Sequence, residues 1–382
     1  MSNRSSAVTE PRQVDVAVAG GGPVGCALAR ALSQSSVSVA WIAARVDAGD
    51  RPLALSHASR LILERLGAWQ GLANTPIEAV HVSHQGFGRT VMRGSDQGLP
   101  ALGYVTAYSR IVKQLAGENL PPLYGTLRSW ETSANEVFLN VSQGAGEIVL
   151  KARLLVLADG GANRDSEFRR DYCQQAIVAE VAAERPRRGV AWERFTSEGP
   201  LALLPHGDRY ALVWSVRADA AAGVLALSDE DFVDALREAF GGRLGRFSAA
   251  GPRSAFPLGL RRGSFSPEPR ILAVGNAAQT LHPVAGQGFN LGLRDAWELA
   301  QMLLDANPDG IGTNDFVQRY IRKRAVDRYA AMAVTDFFTS IFSNSFPPLA
   351  AARGAGLALL DTCPLARNFL ARRMIFGARA LP

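Results

Sequence analysis

Three glycines near the N-terminus have the spacing of a phosphate-binding loop. Gly20, Gly22 and Gly25 follow an apolar run at residues 14–19 and precede an Ala- and Leu-rich run. A strand, glycine loop and helix in this order bring backbone N–H groups and the positive end of the helix to a pyrophosphate. Gly20 permits the tight turn, Gly22 lets the phosphates approach, and Gly25 lets helix and strand pack closely. The pattern therefore predicts a dinucleotide-binding site.

One residue that usually accompanies such a loop is missing. In this type of fold an acid commonly ends the second strand and binds the adenosine ribose. Here Ala43 and Ala44 occupy that place and Arg45 follows. We therefore expect the ribose to be held in another way, and the glycine loop alone does not distinguish NAD from FAD.

A later segment favours FAD. Residues 271–295 contain four glycines and four side-chain amides, and such a loop can lie flat against a large planar cofactor. Gly286 and Gly288 allow close backbone approach. The helix predicted to begin near Phe289 would direct its positive end at a bound group that becomes anionic. Reduced flavin, which is charged at its N1 edge, is such a group.

The hydrophobic pattern predicts the elements that would hold these loops. Apolar runs at residues 14–19 and 37–42 flank a helix and indicate a βαβ opening. Further strands are predicted at residues 80–91, 102–106, 137–141, 147–157, 176–216 and 271–274. Further helices are predicted at residues 54–72, 110–116, 229–240, 289–304 and over most of the chain after residue 316.

Length and composition exclude several protein classes. A chain of 382 residues that is 47% hydrophobic can bury a large core, and two associated domains are expected. We expect no membrane-spanning helix, because no run of about 18 apolar residues occurs. Cys26, Cys173 and Cys363 are odd in number and far apart, so neither disulfides nor a metal site is expected. Residues 1–12 are polar and lack an apolar signal core, so we expect a cytoplasmic protein.

The positive charge is concentrated in the last sixth of the chain. The net charge is +6, and residues 321–382 hold nine Lys and Arg against three Asp. Nucleic acid is one partner of such a segment. However, this segment is also rich in Leu, Phe, Ile and Ala, so we expect an anionic membrane surface and no nucleic acid.

Taken together, the motifs resemble those of a known family. The Gly20 to Gly25 loop, Asp159-Gly160 and residues 275–295 are similar, in order and spacing, to the fingerprints of FAD-dependent aromatic hydroxylases of the para-hydroxybenzoate hydroxylase type. More narrowly, the chain resembles the ubiquinone-biosynthesis hydroxylases over residues 14–377. The segments that carry this narrower resemblance are residues 50–56, 66–69, 193–195, 199–205 and 335–336. The form of residues 275–283 looks like the 2-polyprenyl-6-methoxyphenol hydroxylase branch, whose reaction is at ring carbon 1.

The resemblance implies an α/β fold in which a Rossmann-like FAD-binding domain carries an inserted β-sheet substrate domain and a helical C-terminus. The FAD-binding domain is expected to comprise residues 14–78, 106–175 and 269–320. The substrate domain is expected at residues 79–105 and 176–268, and the helical C-terminal segment at residues 321–382.

The resemblance also implies a reaction. NADPH or NADH would reduce FAD, and O2 would form a flavin hydroperoxide that delivers an oxygen atom to an electron-rich phenol. The implied substrate is a polyprenylated phenol of ubiquinone biosynthesis, and other enzymes of that pathway are further possible partners. Because such a substrate is insoluble, we expect peripheral association with the inner membrane.

Roles for individual residues follow from the same resemblance. The residues expected to bind the cofactor are Gly20, Gly22, Gly25, Arg51, Arg110, Asp159, Gly160, Asn276, Gly286, Gln287, Gly288, Phe289 and Asn290. Pro283 would offer its backbone carbonyl near the substrate phenol, and His282 either acts beside it or only orients the loop. The candidates for an apolar substrate pocket are Trp192, Phe195, Leu203 and Trp214, with plain core packing as the alternative.

Two departures from the family pattern leave other functions open. Ala43 replaces the ribose-binding acid, and the Ser and Arg expected soon after Asp159-Gly160 are shifted in register through residues 161–169. One alternative is a flavin oxidoreductase that does not hydroxylate, such as a prenyl-chain reductase. Another is a non-catalytic subunit of a ubiquinone-synthesis assembly, which would purify without flavin colour.

Overall fold

A computed structural model describes residues 11–44, 50–116, 121–144, 146–161, 166–249, 251–283, 286–342 and 347–377. The strands are β1 (Arg12–Ala19), β2 (Val39–Ala43), β3 (Pro52–Ser56), β4 (Thr75–Ile77), β5 (Ala79–His84), β6 (Arg89–Arg93), β7 (Gly103–Ala107), β8 (Leu123–Tyr124), β9 (Thr126–Thr132), β10 (Val137–Gln143), β11 (Gly146–Leu157), β12 (Phe168–Ala183), β13 (Val190–Phe195), β14 (Pro200–His206), β15 (Arg209–Arg217), β16 (Phe247–Ala249), β17 (Ser254–Arg262), β18 (Ile271–Ala273) and β19 (Gln279–Thr280). The helices are α1 (Pro23–Leu32), α2 (His57–Arg65), α3 (Tyr108–Ala116), α4 (Ala218–Ala226), α5 (Asp229–Phe240), α6 (Gln287–Leu304), α7 (Asn314–Phe342), α8 (Pro347–Thr362) and α9 (Pro364–Phe376).

The first sheet carries the glycine loop. Within the described residues it runs in the order β8-β2-β1-β11-β10-β9, and β18 pairs with the end of β11. The pairs β1–β2, β1–β11 and β11–β18 are parallel, whereas β9, β10 and β11 form an antiparallel meander. Its centre is almost wholly apolar, as expected for parallel strands covered on both faces. The predicted βαβ opening is confirmed, because β1, α1 and β2 form it.

A second, largely antiparallel sheet forms the other half of the molecule. Within the described residues its order is β19-β17-β12-β15-β14-β13-β5-β6, and β16 also pairs with β12. Helix α5 packs on its outer face, where Phe232, Leu236 and Phe240 are buried against the strands. Ser228 caps this helix by accepting a hydrogen bond from the N–H of Asp231. Strand β12 begins at Phe168, so the domain boundary expected at residue 176 falls inside this strand.

One predicted helix is partly wrong. Residues 54–72 were expected to be helical throughout, but β3 pairs with β7 up to Ser56, and α2 covers only His57–Arg65. The Ser56 side chain accepts a hydrogen bond from the N–H of Ser59 and so begins the helix. The change from strand to helix depends on pairing with residues about 50 positions later in the chain, which local hydrophobic spacing does not reveal.

The described residues include no helix that is long and apolar enough to span a membrane. They also hold no group of three or more His, Cys, Asp or Glu side chains arranged to bind a metal ion.

Candidate active site

A cavity of about 1120 Å³ lies between the first sheet and one face of the second sheet. One half is lined by the glycine loop after β1, by the start of α3 and by the loop that leads into α6. The other half is lined by β5, β13 and β14 and by the C-terminal helices α8 and α9. The sequence motifs that were expected to bind a cofactor therefore converge on one space that continues into a largely apolar compartment.

The glycine loop is fitted closely to the end of the first sheet. A Cβ atom on Gly20 would lie 2.3 Å from the carbonyl oxygen of Ala158, and one on Gly25 would lie 2.2 Å from the carbonyl oxygen of Gly20. The indole N–H of Trp41 donates to that same Gly20 oxygen at 2.9 Å. No described side chain caps α1 at Gly22. The first turn of α1 therefore presents backbone N–H groups and a positive dipole end to the cavity.

The start of α3 provides the polar groups nearest to this loop. Arg51 lines the cavity and its guanidinium carbon lies 4.9 Å from the centre of the Tyr108 ring. Tyr108 in turn lies within reach of Gly22, where an added Cβ would be 3.4 Å from its hydroxyl oxygen. Lys113 lines the cavity, whereas Arg110 is exposed and does not line it. Arg110 therefore lies on the outward face of α3, and its expected contact with the cofactor stays a prediction.

The loop that leads into α6 forms the opposite wall. Gly286 has a left-handed backbone (φ 61°) and precedes α6, which begins at Gln287 without a capping side chain among the described residues. Gly286, Gln287, Gly288 and Phe289 all line the cavity. A Cβ on Gly288 would meet no atom within 4 Å, so this position borders open space. A second uncapped helix start thus faces the same cavity as α1.

Asn290 holds this loop in place with its side chain. Its Oδ1 accepts hydrogen bonds from the Ser56 N–H at 2.8 Å and the Ser59 hydroxyl at 2.7 Å. Its Nδ2 donates to the carbonyl oxygens of Ala54, at 3.1 Å, and Gly286, at 2.7 Å. These four bonds use the hydrogen-bonding capacity of the amide. The Asn290 side chain therefore joins β3, α2 and α6. The residue also lines the cavity, so its expected contact with the cofactor stays a prediction.

A buried ionic network supports the same loop from behind. Asp295 of α6 is fully buried and accepts hydrogen bonds from the Gly275 N–H at 3.2 Å and the Gln279 side chain at 2.8 Å. Its other oxygen pairs with Arg324 of α7 at 2.8 Å, and Arg324 also pairs with Asp327. The pKa of the Arg324 guanidinium is raised, because its two buried carboxylate partners outweigh the effect of burial. Gln279 thus fixes the residue 275–279 turn to α6.

Three more residues that were predicted to bind the cofactor lie at the edge of the first half of the cavity. Asp159, Gly160 and Asn276 line the cavity. The Asp159 carboxylate accepts a hydrogen bond from the Gly161 N–H at 3.1 Å, and the Arg261 guanidinium donates to the Asn276 carbonyl. Residues 162–165 of the shifted motif that follows lie outside the described residues.

His282 and Pro283 have different surroundings although they are neighbours. Pro283 is exposed to the cavity, and its carbonyl oxygen accepts a hydrogen bond from the Gly286 N–H at 2.9 Å. His282 is fully buried, does not line the cavity and stacks edge-on against Tyr172 at 5.4 Å. Burial lowers the pKa of His282 to about 4, so its ring is neutral near pH 7. These surroundings fit the expectation that His282 orients the loop.

The second half of the cavity is formed by one face of the second sheet. Phe195 lines it, as expected. Leu203 and Trp214 do not, because they point to the opposite face and belong to the core beneath α5. Trp192 borders the cavity, but its ring packs against His81 at 4.7 Å and Phe240 at 5.9 Å in that same core. For Leu203 and Trp214 the structure thus supports the core-packing alternative.

The residues that instead line this half were not singled out from the sequence. On the sheet they are Val80, Val82, Ala191, Glu193, Ala202 and Leu204, and on the C-terminal helices they are Leu357, Leu360, Leu370, Ala371, Met374 and Ile375. Glu193 is the acid in this set. Period-two alternation along β13 groups Ala191, Glu193 and Phe195 on one face, but the pattern does not reveal which face encloses a cavity.

The residues present fit a bound FAD. Two uncapped helix starts face one elongated cavity, and Gly20, Gly22 and Gly286 let the backbone approach a ligand where side chains would obstruct it. One helix start suits a pyrophosphate and the other suits a group that becomes anionic on reduction. Ala44, Gly125 and Thr126 line the end where an adenosine would lie.

Comparison with known proteins identifies the family. Residues 126–337, more than half of the chain, match the family described as "FAD binding domain". The chain is 34% identical to "Ubiquinone hydroxylase UbiL" of Rhodospirillum rubrum, over 94% of this chain and 89% of that protein. It is 31% identical to "3-demethoxyubiquinol 3-hydroxylase" of Escherichia coli, over 90% of this chain and 93% of that protein.

A solved structure shows the same fold. The p-nitrophenol 4-monooxygenase PnpA from Pseudomonas putida DLL-E4 matches 96% of this chain and 99% of its own, with a TM-score of 0.75 and 16% identity. At that identity the likeness concerns the fold. The family match and the two relatives go further and confirm the resemblance seen in the sequence motifs. The chain belongs to the FAD-dependent monooxygenases, within the group that contains the ubiquinone-biosynthesis hydroxylases.

Proposed function

We propose that this protein hydroxylates the aromatic ring of a polyprenylated phenol, a ubiquinone precursor, using FAD, a reduced nicotinamide coenzyme and O2. One observation carries the proposal: the cavity joins a site with two uncapped helix starts to an apolar compartment. Bound flavin would supply the activation of O2, and the protein would supply position, electrostatics and water exclusion. Names of the relatives refer to ubiquinone hydroxylation, which supports this choice of substrate.

The residues of the first half would hold FAD. Gly20, Gly22 and Gly25 would hold the pyrophosphate with the start of α1, and Arg51 would support it from the side. Asp159, Gly160 and Asn276 would contact the ribityl chain and its surroundings. The backbone of residues 286–289 would line the flavin ring, with the positive end of α6 stabilising its reduced form. The Pro283 carbonyl would lie near the substrate phenol. Under this proposal residues 14–78, 106–167 and 269–320 form the FAD-binding domain, and residues 79–105 and 168–268 form the substrate domain, with the boundary placed at the start of β12.

A variant tests the role of α6. Gly288 borders open space, so Gly288→Asp should fold normally and add a negative charge near the reduced flavin. We expect slower flavin reduction by the coenzyme, and Gly242→Asp, at a position equally open but distant from the cavity, is the matched control. Unchanged reduction kinetics in a Gly288→Asp protein with full FAD content would remove α6 from the flavin site.

The C-terminal helices would accommodate the prenyl chain. Leu357 and Leu360 of α8 and Leu370 and Met374 of α9 line the apolar half of the cavity. A chain of isoprene units has no hydrogen-bonding groups, so apolar side chains of this kind are its natural surroundings. These four side chains of the tail therefore face the inside of the molecule.

Other apolar side chains of the tail are exposed and support peripheral membrane association. Leu359, Leu365 and Phe369 are 69%, 84% and 60% exposed. Arg372 is exposed beside them, and Arg373 lies 5.1 Å from the centre of the Phe369 ring. Such a combination of apolar and basic side chains suits an anionic bilayer.

Two other arginines of the tail are engaged within the protein, so fewer positive charges remain for docking to an anionic membrane. Arg353 is buried, and Arg367 lies 3.7 Å from Asp96 and 3.9 Å from Asp361. Arg379 lies outside the described residues. The docking surface proposed here therefore consists of Leu359, Leu365, Phe369, Arg372 and Arg373.

Co-sedimentation with liposomes tests this surface. We expect binding to anionic liposomes that weakens in high salt and that is lost in a Leu365→Ser, Phe369→Ser double variant. Leu304→Ser, at an exposed apolar position on α6, is the control. Equal binding by all variants, or no binding to any liposome, would contradict docking through this surface.

The function itself is tested with purified protein and a deletion strain. We expect a yellow protein that incorporates one atom of labelled O2 into the phenol, and accumulation of the unhydroxylated precursor in the deletion strain. Coenzyme oxidation and a changed prenyl chain without incorporation of oxygen would favour a reductase. A protein that binds no FAD would favour a non-catalytic subunit. The accumulated precursor also identifies the ring position. For a 2-polyprenyl-6-methoxyphenol we predict ring carbon 1 in the numbering of the quinone, which is a carbon without the phenolic oxygen.

A further inference from the structure

Glu193 lies in the apolar wall of the cavity. On β13 it shares the inward face with Ala191 and Phe195, and its cross-strand neighbours are Val82 on β5 and Ala202 on β14. Its carboxylate has no hydrogen-bond or ion-pair partner in the part of the chain that the structure describes. An ionisable group so enclosed is costly to keep unless it acts on something that enters the cavity.

The surroundings of Glu193 determine its protonation. Burial raises the pKa of its carboxyl from 4.5 to about 7. The side chain is partly accessible because it faces the cavity. The walls of the cavity separate it from bulk water, so loss of hydration is the cause of its raised pKa. Both protonation states are therefore accessible near neutral pH, as a general base requires.

Charged groups on the neighbouring elements do not account for this shift. His84 on β5 has a pKa lowered by burial and then by Arg353 and Arg194. Arg353 of α8 lies 3.4 Å from the His84 Nε2 atom. Arg194 on the opposite face of β13 donates to the Ala239 carbonyl of α5, and the one ionisable side chain of β14, His206 at its end, pairs with Glu180.

We propose that Glu193 is a catalytic residue that accepts the proton of the substrate's phenolic hydroxyl. This assignment rests on the proposed function. The O–H bond of the phenol breaks, the proton moves to a carboxylate oxygen of Glu193, and the electron pair stays on the phenolate oxygen. The negative charge spreads into the ring and raises electron density ortho and para to that oxygen, where an electrophilic oxygen atom adds. The hydrogen on the attacked carbon then moves as a proton to the former phenolate oxygen, which restores the aromatic ring, and the carboxyl of Glu193 releases its proton to solvent.

The test compares the purified holoenzyme with its Glu193→Gln and Glu193→Asp variants, and uses Glu238→Gln on the exposed face of α5 as the control. The probe is a methoxyphenol with one short prenyl group. Binding of this probe is measured first, near pH 7, where the phenol in solution is neutral. We expect all four proteins to bind it with comparable affinity, because binding a neutral phenol requires no proton transfer.

Turnover provides the second measurement. Hydroxylation should rise with pH through about 7 in wild type, and it should fall by about 100-fold or more in Glu193→Gln. Partial activity in Glu193→Asp and recovery of Glu193→Gln at high pH would both support proton acceptance. FAD content and flavin reduction without substrate should not change.

The outcomes separate this assignment from the function on which it rests. Suppose that wild type incorporates labelled oxygen and that Glu193→Gln keeps the wild-type rate of hydroxylation and its rise with pH. The role of Glu193 is then refuted, while the proposed function stands. If wild type incorporates no labelled oxygen into the phenol, both proposals fail.

Discussion

Alanine substitution at two glycines should separate the packing of α1 from cofactor binding. At Gly25 the new Cβ would lie 2.2 Å from the Gly20 carbonyl oxygen and 3.3 Å from the Ala158 side chain. At Gly22 the nearest atom would be the Tyr108 hydroxyl oxygen at 3.4 Å, an ordinary contact, and the backbone angle φ of −73° suits alanine. Gly25→Ala therefore strains the protein itself, whereas the new methyl group of Gly22→Ala fits the protein and would obstruct only a bound ligand.

The expected magnitudes differ accordingly. Overpacking costs about 3 kcal/mol at a backbone contact this short, and the better helix propensity of alanine returns about 1 kcal/mol. Gly25→Ala should therefore lower the free energy of unfolding by about 2 kcal/mol. Gly22→Ala should change it by less than about 1 kcal/mol, because a poorer N-cap is offset by lower unfolded-state entropy. For FAD we expect affinity to fall at least about tenfold in Gly22→Ala.

Two assays measure these effects. Thermal unfolding of the apoprotein reports the strain, and flavin titration of the refolded apoprotein reports affinity. We expect the apoprotein of Gly25→Ala to melt several degrees lower than wild type, and that of Gly22→Ala to melt with wild type but bind FAD weakly. A Gly22→Ala protein with wild-type FAD affinity would refute the assignment of this loop to the pyrophosphate.

Three further predictions concern buried ionisable groups. Asp295→Asn breaks the buried pair with Arg324 and should lower the free energy of unfolding in urea by about 3 kcal/mol; an unchanged urea midpoint would contradict this. Because the pKa of Glu193 is raised in the folded protein, its contribution to the free energy of unfolding falls as pH rises from 4.5 to about 7. Glu193→Gln should lack this fall and should be more stable than wild type by about 3 kcal/mol above pH 7. Parallel stability profiles of the two proteins against pH would contradict this. Burial raises the pKa of Cys26 to about 12, so at pH 8 a thiol reagent should modify exposed Cys173 and leave Cys26 intact, as mass spectrometry of the digested protein will reveal.

The parts of the fold that follow from local spacing were predicted well. The glycine loop with α1, the β10–β11 hairpin and α5 at Asp229–Phe240 all agree with the sequence pattern. Each depends on residues that are close in the chain, such as a capping serine before a helix or alternating apolar positions in a hairpin. The residue 54–72 region failed because its first part is a strand paired with β7.

Only some residues of the candidate site were predicted correctly from the sequence. Residues fixed by a loop motif, such as Gly20 and Gly286, lie on the cavity, whereas Leu203 and Trp214 do not. An amphipathic strand reveals two faces, but which face encloses a ligand depends on elements from elsewhere in the chain. Here those elements are α8 and α9, and their fold-back onto β5 and β6 leaves no local signal in the sequence.

The late position of α8 and α9 in the chain has a consequence for biogenesis. Every element that lines the first half of the cavity precedes residue 305, and the sheet that lines the second half ends at residue 280. The ribosome therefore releases both before it has made the helices that close the apolar compartment. Because chains fold from the N-terminus as they emerge, a nascent protein passes through a stage in which the cofactor can enter from the side that is later covered. The direction of translation thus completes the part of the fold that would hold FAD before it supplies the helices that close the apolar compartment.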